Sequence, residues 1–235
     1  MRRQLLILPG WSGSKESWKN FISLAQADYE VHCLDLPCFG QEPCPTEIWG
    51  VEEYGNFVLE KIKRFNLSQP ILLGHSFGGA IAAYLAANHP ERFSRLILSG
   101  PAIFRRTSGF KKYSFLVMAK FGKFIFAWSI FKKFSGFMKK LLYRLANSDY
   151  NDTSGIKREI YKKITGQDLS ETVKKINLPT LIIWGEKDGY VPVKQSKKLA
   201  ALINGSNLEL ILNGKHGLHL QMPERLYGLV KNFIK

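Results

Sequence analysis

One serine in this chain is boxed in by glycine at the seam between two periodicities. The apolar run PILL (70–73) leads directly into Gly74-His75-Ser76-Phe77-Gly78-Gly79, which leads directly into AIAAYLAA (80–87), a stretch with the composition of a helix. A strand that becomes a helix within two residues leaves no space for bulk two positions either side of the turning residue, hence Gly74 and Gly78. The hydroxyl at the apex of such a turn is accessible at the carboxyl end of a strand. The helix N-terminus beneath it favours negative charge that develops nearby. A GxSxG string by itself occurs by chance; the strand before it and the helix after it give it meaning.

Short apolar runs recur on both sides of that seam, separated by stretches of helical period. Strands are expected at QLLIL (4–8), VHCLD (31–35), PILLG (70–74), RLILS (95–99), TLIIWG (180–185) and LELIL (208–212). Helices are expected near 15–26, 51–65, 77–88, 193–203 and 223–234. This alternation predicts an α/β fold, a doubly wound and mostly parallel sheet of about six strands with helices on both faces. The rhythm breaks over 102–168, where no β-like run occurs and two or three amphipathic helices are expected. The domain reading is therefore a core of 1–101 and 169–235 with a helical lid inserted at 102–168.

Charge concentrates in that insertion. Of a formal +15 for the chain, residues 105–175 hold a net +12, from 17 basic and 5 acidic side chains, interleaved with aromatic residues from Phe104 to Tyr143. Solvated basic helix faces account for such a pattern. So does an anionic partner, such as an acidic carrier protein, a substrate carboxylate or phosphate, or an anionic lipid surface. No recognition fold accompanies the charge, so nucleic acid is not an expected partner. Lys120 and Lys123 interrupt the best apolar window, so no transmembrane helix is expected. The opening MRRQLLILPGW has too short an apolar run for a secretory signal core, and the three cysteines, Cys33, Cys38 and Cys44, show no metal-ligand spacing. A cytoplasmic protein with free thiols, monomeric or weakly dimeric, is the expectation.

A serine hydroxyl is a weak nucleophile unless a base takes its proton and a carboxylate orients the base. In this architecture the order along the chain is serine, acid, histidine, each just past the carboxyl end of a strand. Asp188 lies in WGEKDG after the fifth strand, with Glu186 as the rival carboxylate. His216 lies in NGKHG after the last strand. His219 is its rival, whereas His32 falls inside a strand, His75 flanks the serine and His89 ends a helix. Two donors must also meet the oxyanion of the tetrahedral intermediate. The backbone N–H of Phe77 follows the nucleophile, and the N–H of Trp11 belongs to the loop after the first strand. Acyl transfer to water by these groups needs no metal and no organic cofactor.

Along nearly its whole length the chain resembles the α/β-hydrolase superfamily, in the lid-bearing branch that includes carboxylesterases, biotin-pathway methyl esterases and carbon–carbon bond hydrolases. The matching stretches are LPGW, LDLPCFG, GHSFGG, LPTLIIWGEKDGYVP and KHGLHLQMPERL. Three departures stand out: Pro9 where the family usually has histidine, Cys38 in place of a turn glycine, and the lack of the two leading antiparallel strands. The resemblance implies an ester hydrolase acting on small to medium acyl chains through an acyl-enzyme. A serine at the elbow argues against the aspartate-based dehalogenases and epoxide hydrolases of the superfamily. Alternatives that keep the same residues are a ligand sensor with slow turnover, a lipase at a membrane surface and a carbon–carbon bond hydrolase.

Overall fold

The structure is a computed structural model and describes residues 2–105 and 154–235. Residues 2–105 and 155–235 form one compact unit. Its sheet contains β1 (Arg3–Leu8), β2 (Tyr29–Cys33), β3 (Ile71–His75), β4 (Arg95–Ser99), β5 (Thr180–Gly185) and β6 (Asn207–Ile211). The spatial order is β2-β1-β3-β4-β5-β6, and each adjacent pair is parallel. The fold is the doubly wound α/β architecture that the alternation of apolar and helical runs predicts. Strand bounds differ from the expected ones by at most two residues, the largest shift being at β2.

The two-residue period of a strand sends alternate side chains to opposite faces, and each face needs its own cover. Leu6, Leu8, Leu72, Leu96, Leu98, Ile182 and Trp184 face one apolar layer. That layer is closed by α2 (Val51–Arg64), α3 (Ser76–Asn88), α4 (Gly155–Gly166), α5 (Ser170–Val173) and α6 (Lys194–Leu202). Leu5, Ile7, Ile71, Leu73, Ile97, Leu181 and Ile183 face the other. There the cover is α1 (Lys19–Ala25), α7 (Leu218–Gln221) and α8 (Pro223–Ile234). Helix α3 is buried on nearly all sides, and its small residues let it lie close against the sheet.

The lid expected over 102–168 falls mostly on 106–153, outside the described residues. Of its described ends, Ile103 and Ile160 are fully buried in the first apolar layer. Among the described residues no helix is long and apolar enough to cross a membrane.

The expectation of three free thiols needs correction. Cys38 and Cys44 form a disulfide, and only Cys33 is free. The chain doubles back between them, with Glu42 N donating to Phe39 O at 3.1 Å and Cys38 N to Pro43 O at 3.2 Å, so the two Cα atoms stand 4.1 Å apart. Cys38 takes φ 75°, the left-handed backbone that suits a glycine at this turn. With two thiols bonded, the argument from free thiols to a reducing compartment no longer holds. Burial pushes the Cys33 thiol up to about 12, so it stays protonated and inert.

Candidate active site

Ser76 opens α3 directly after β3 and is the half-buried residue in an otherwise buried turn. Its φ is 52°, a conformation that a side-chain-bearing residue adopts only when the surroundings enforce it. The glycines around it do the enforcing. A Cβ at Gly74 would come within 2.5 Å of the Gly78 carbonyl oxygen, and one at Gly78 within 2.2 Å of the Leu8 carbonyl oxygen. The helix can start against β1 only because both positions lack a side chain. Phe77 is the second residue of α3, where backbone N–H groups have no partner within the helix. Trp11 follows Gly10, whose own Cβ would stand 3.1 Å from Ser76 Cβ, so the loop after β1 passes directly beside the serine.

Asp188 and His216 meet across two other loops. The Nδ1–H of His216 donates to Asp188 Oδ2 at 2.7 Å, with the Asp188 side chain 1% exposed and that of His216 15%. Because an ionised carboxylate only accepts, this bond puts the imidazole proton on Nδ1 and leaves Nε2 free to act as a base. The other carboxylate oxygen, Oδ1, accepts from the N–H groups of Tyr190 and Val191, both at 2.8 Å. Trp184 Nε1 donates to the Val191 carbonyl at 3.0 Å and closes the loop. The acid and histidine loops are pinned together by Lys187 N to Gly214 O at 2.8 Å and Glu186 N to Ile211 O at 3.1 Å. Glu186, the rival carboxylate, is exposed.

Gly100, at φ 51°, is a position that the sequence did not single out. A Cβ there would stand 3.2 Å from Asp188 Oδ2 and 3.4 Å from His216 Nδ1. The missing side chain after β4 therefore makes room for the acid–histidine pair. Tyr190 stacks on the outer face of His216, ring centroids 5.2 Å apart, and His75 lies on another side at 4.7 Å.

His219, the rival base, is buried in α7. Its ring stacks on Trp18 at 4.2 Å with 7° between planes, and it lies 4.8 Å from His75. Burial, and then the nearby His216, lower its pKa to about 4. His75 is held well below its ordinary value, chiefly by burial, and its Nδ1–H donates to the Ser99 carbonyl at 2.9 Å. Both are neutral imidazoles packed behind His216. His32, in edge strand β2, pairs with Glu30, and His89 caps α3. Among the described residues no group of three or more His, Cys, Asp or Glu side chains is placed to hold a metal ion.

Comparison with known proteins agrees with the fold and adds a reaction class. A family model described as "alpha/beta hydrolase fold" matches residues 4–159 and 132–223. The chain is 30% identical to an uncharacterized hydrolase, YugF, of Bacillus subtilis (strain 168), across all of this chain and 90% of that one. It is 30% identical to the pimeloyl-[acyl-carrier protein] methyl ester esterase of Wigglesworthia glossinidia brevipalpis, across 98% of this chain and 93% of that one. Among solved structures, an esterase from Exiguobacterium antarcticum superimposes with a TM-score of 0.74 at 21% identity, covering 99% of this chain and 92% of the other. At that identity the likeness speaks for the fold alone.

Proposed function

Since the chain belongs to the alpha/beta hydrolase family and is a hydrolase of esterase type, we propose that it cleaves carboxylic esters of small to medium acyl chains through a serine acyl-enzyme. The reading rests on one observation above the others, the Ser76 backbone held at φ 52° on a strand-to-helix turn. Strain of this kind persists only where packing imposes it, and here it presents a hydroxyl at the sheet's carboxyl edge.

The chemistry then follows from the residues already placed. Ser76 Oγ attacks the ester carbonyl while its proton passes to His216 Nε2, and Asp188 stabilises the imidazolium that forms. The carbonyl oxygen becomes an oxyanion facing the N–H groups of Trp11 and Phe77; loss of one such donor typically costs about a hundred- to a thousandfold. The carbon–oxygen bond to the alcohol breaks, and the alcohol leaves with the proton from Nε2. Water next gives a proton to Nε2 and attacks the acyl carbon, and Ser76 leaves with that proton restored. No step calls for a metal or an organic cofactor.

Within the same reading, the net +12 of residues 105–175 favours an acyl group presented by an anionic partner, such as an acidic carrier protein. Curated relatives that act on a carrier-bound ester support this direction. Most of that segment lies outside the described residues. Carrier-presented substrate would then lose its advantage over a free ester as salt rises.

The test is hydrolysis of p-nitrophenyl esters from acetate to decanoate by the wild type and by Ser76→Ala. The expected result is multiple turnover in the wild type and a loss of at least about a thousandfold in the variant. Negligible wild-type turnover across the series, with ligand binding retained, would favour the sensor reading instead.

A further inference from the structure

Trp11, next to the Gly10 that abuts Ser76, is the centre of a wall of rings. Trp11 stands with its ring centroid 4.8 Å from Phe39, 5.0 Å from Tyr161 and 5.8 Å from Phe77. Onto this wall α4 places one cation. Lys157 Nζ lies 4.5 Å from the centre of the Phe39 ring and 6.0 Å from that of Trp11.

The other two lysines of α4 have carboxylates to meet: Lys162 pairs with Glu159 at 2.6 Å and Lys163 with Glu53 at 2.9 Å. Lys157 has no carboxylate within 4.0 Å among the described residues. It is half-buried, and that burial lowers its pKa, so the ammonium has given up part of its hydration where it lies over ring faces. An incoming anion would find a charge already partly stripped of water, where pairing is stronger than at the surface. The simplest alternative is a lysine whose stem covers aromatic surface while its head reaches water.

We propose that Lys157 is a specificity-determining residue that selects esters bearing an anionic group, a carboxylate or a phosphate, a few bonds from the scissile carbonyl. The inference rests on the esterase reading of Ser76. It follows from the place of Trp11, whose backbone N–H is assigned to the oxyanion and whose ring lies under the ammonium. A substrate anion bound at Lys157 and a carbonyl bound at Trp11 N–H are therefore separated by about one side chain, roughly 6–10 Å on ordinary bond lengths.

Two matched pairs of esters test this: p-nitrophenyl hydrogen adipate against p-nitrophenyl hexanoate, with the charge on the acyl side, and 4-carboxyphenyl hexanoate against phenyl hexanoate, with the charge on the alcohol side. Lys157→Met is expected to lower kcat/KM at least about tenfold for one of the charged esters, mainly through KM, the scale of one charge-assisted contact. Both neutral esters should stay within about twofold, and Lys157→Arg should restore most of the loss on the charged one. An equal fall on charged and neutral esters, or no fall on either charged ester, overturns the proposal.

A second readout does not depend on turnover. In Ser76→Ala protein, calorimetric binding of the product anions adipate or 4-hydroxybenzoate should weaken about tenfold on adding Lys157→Met. If the wild type hydrolyses none of the four esters, the esterase reading fails and ester selection with it; Lys157-dependent anion binding would then uphold the anion site alone, and its absence would overturn that too.

Discussion

Aromatic rings flank the candidate catalytic groups on both faces of the sheet, but in different company. On the α2–α4 side, Phe39, Phe77 and Tyr161 pack around Trp11, the Lys157 ammonium lies over the Phe39 and Trp11 rings, and Trp11 is only half-buried. On the α1–α7 side, Trp18 is fully buried and stacks on His219, which sits with His75 behind His216. The first group retains a charge and partial access to solvent, as a surface that receives ligands does. The second consists of neutral rings excluded from water and packs against His216. On the proposal above, similar residue types serve recognition on one face and support on the other: Trp11 and Lys157 keep contact with solvent, whereas Trp18, His75 and His219 do not.

The sharpest way to break this contrast is at the bond that joins His216 to Asp188. Asp188→Asn keeps an oxygen to accept from the Tyr190 and Val191 N–H groups but turns an amide N–H toward His216 Nδ1. The imidazole must then adopt the wrong tautomer. We expect kcat to fall about ten-thousandfold with the thermal midpoint little changed, as read by steady-state kinetics beside a melting curve. A drop of less than about tenfold would detach Asp188 from the mechanism.

His219 offers the next largest effect, on stability and not on rate. Its folded value of about 4 lies below the ordinary 6.5, so the unfolded chain takes up a proton that the folded one refuses. The stability present above pH 6.5 is therefore lost as pH falls toward 4, by about 3 kcal/mol from this group. His219→Phe, which preserves the stack on Trp18, should flatten that part of the acid limb in urea titrations between pH 7 and 4.5. His75 shifts in the same direction and will leave a residual slope. An unchanged limb would mean that His219 ionises freely in the folded state.

The smallest expected effect probes the opposite face. Reduction of the Cys38–Cys44 disulfide, or Cys44→Ser, releases the turn that carries Phe39 to Trp11. A loop this short contributes about 2 kcal/mol by chain entropy, a fall of several degrees in Tm. If the recognition face is the more adaptable one, KM should move before kcat. A change in kcat alone would reverse the assignment of the two faces.

Much of this molecule was legible in the sequence because the signals were local. The elbow is visible in GHSFGG since the steric rule involves neighbours two residues apart. The alternation in QLLIL and RLILS foretells two apolar layers because side chains on a strand must alternate. Asp188 and His216 were named from their distance past a strand, a property of the chain order. The features that went unread depend on residues far apart in the chain. Nothing in the α4 sequence GIKREIYKKITG marks Lys157 as the lysine over aromatic rings, and nothing near Gly100 announces Asp188. His219 was a rival base by sequence, and only burial against Trp18 sets it apart.

The cysteines show the same division at short range. Spacing of six residues is compatible with free thiols or with a bridge, and the turn at Phe39 to Glu42 decides which. The sequence by itself determined the strand order along the chain, the strained turn at Ser76 and the candidates for acid and base, because these rest on local sterics and periodicity. Only the tertiary structure decided which histidine is paired and which is dry, which lysine lies over aromatic rings and which cysteines meet. Hydration and charge pairing are set by groups brought together from distant parts of the chain.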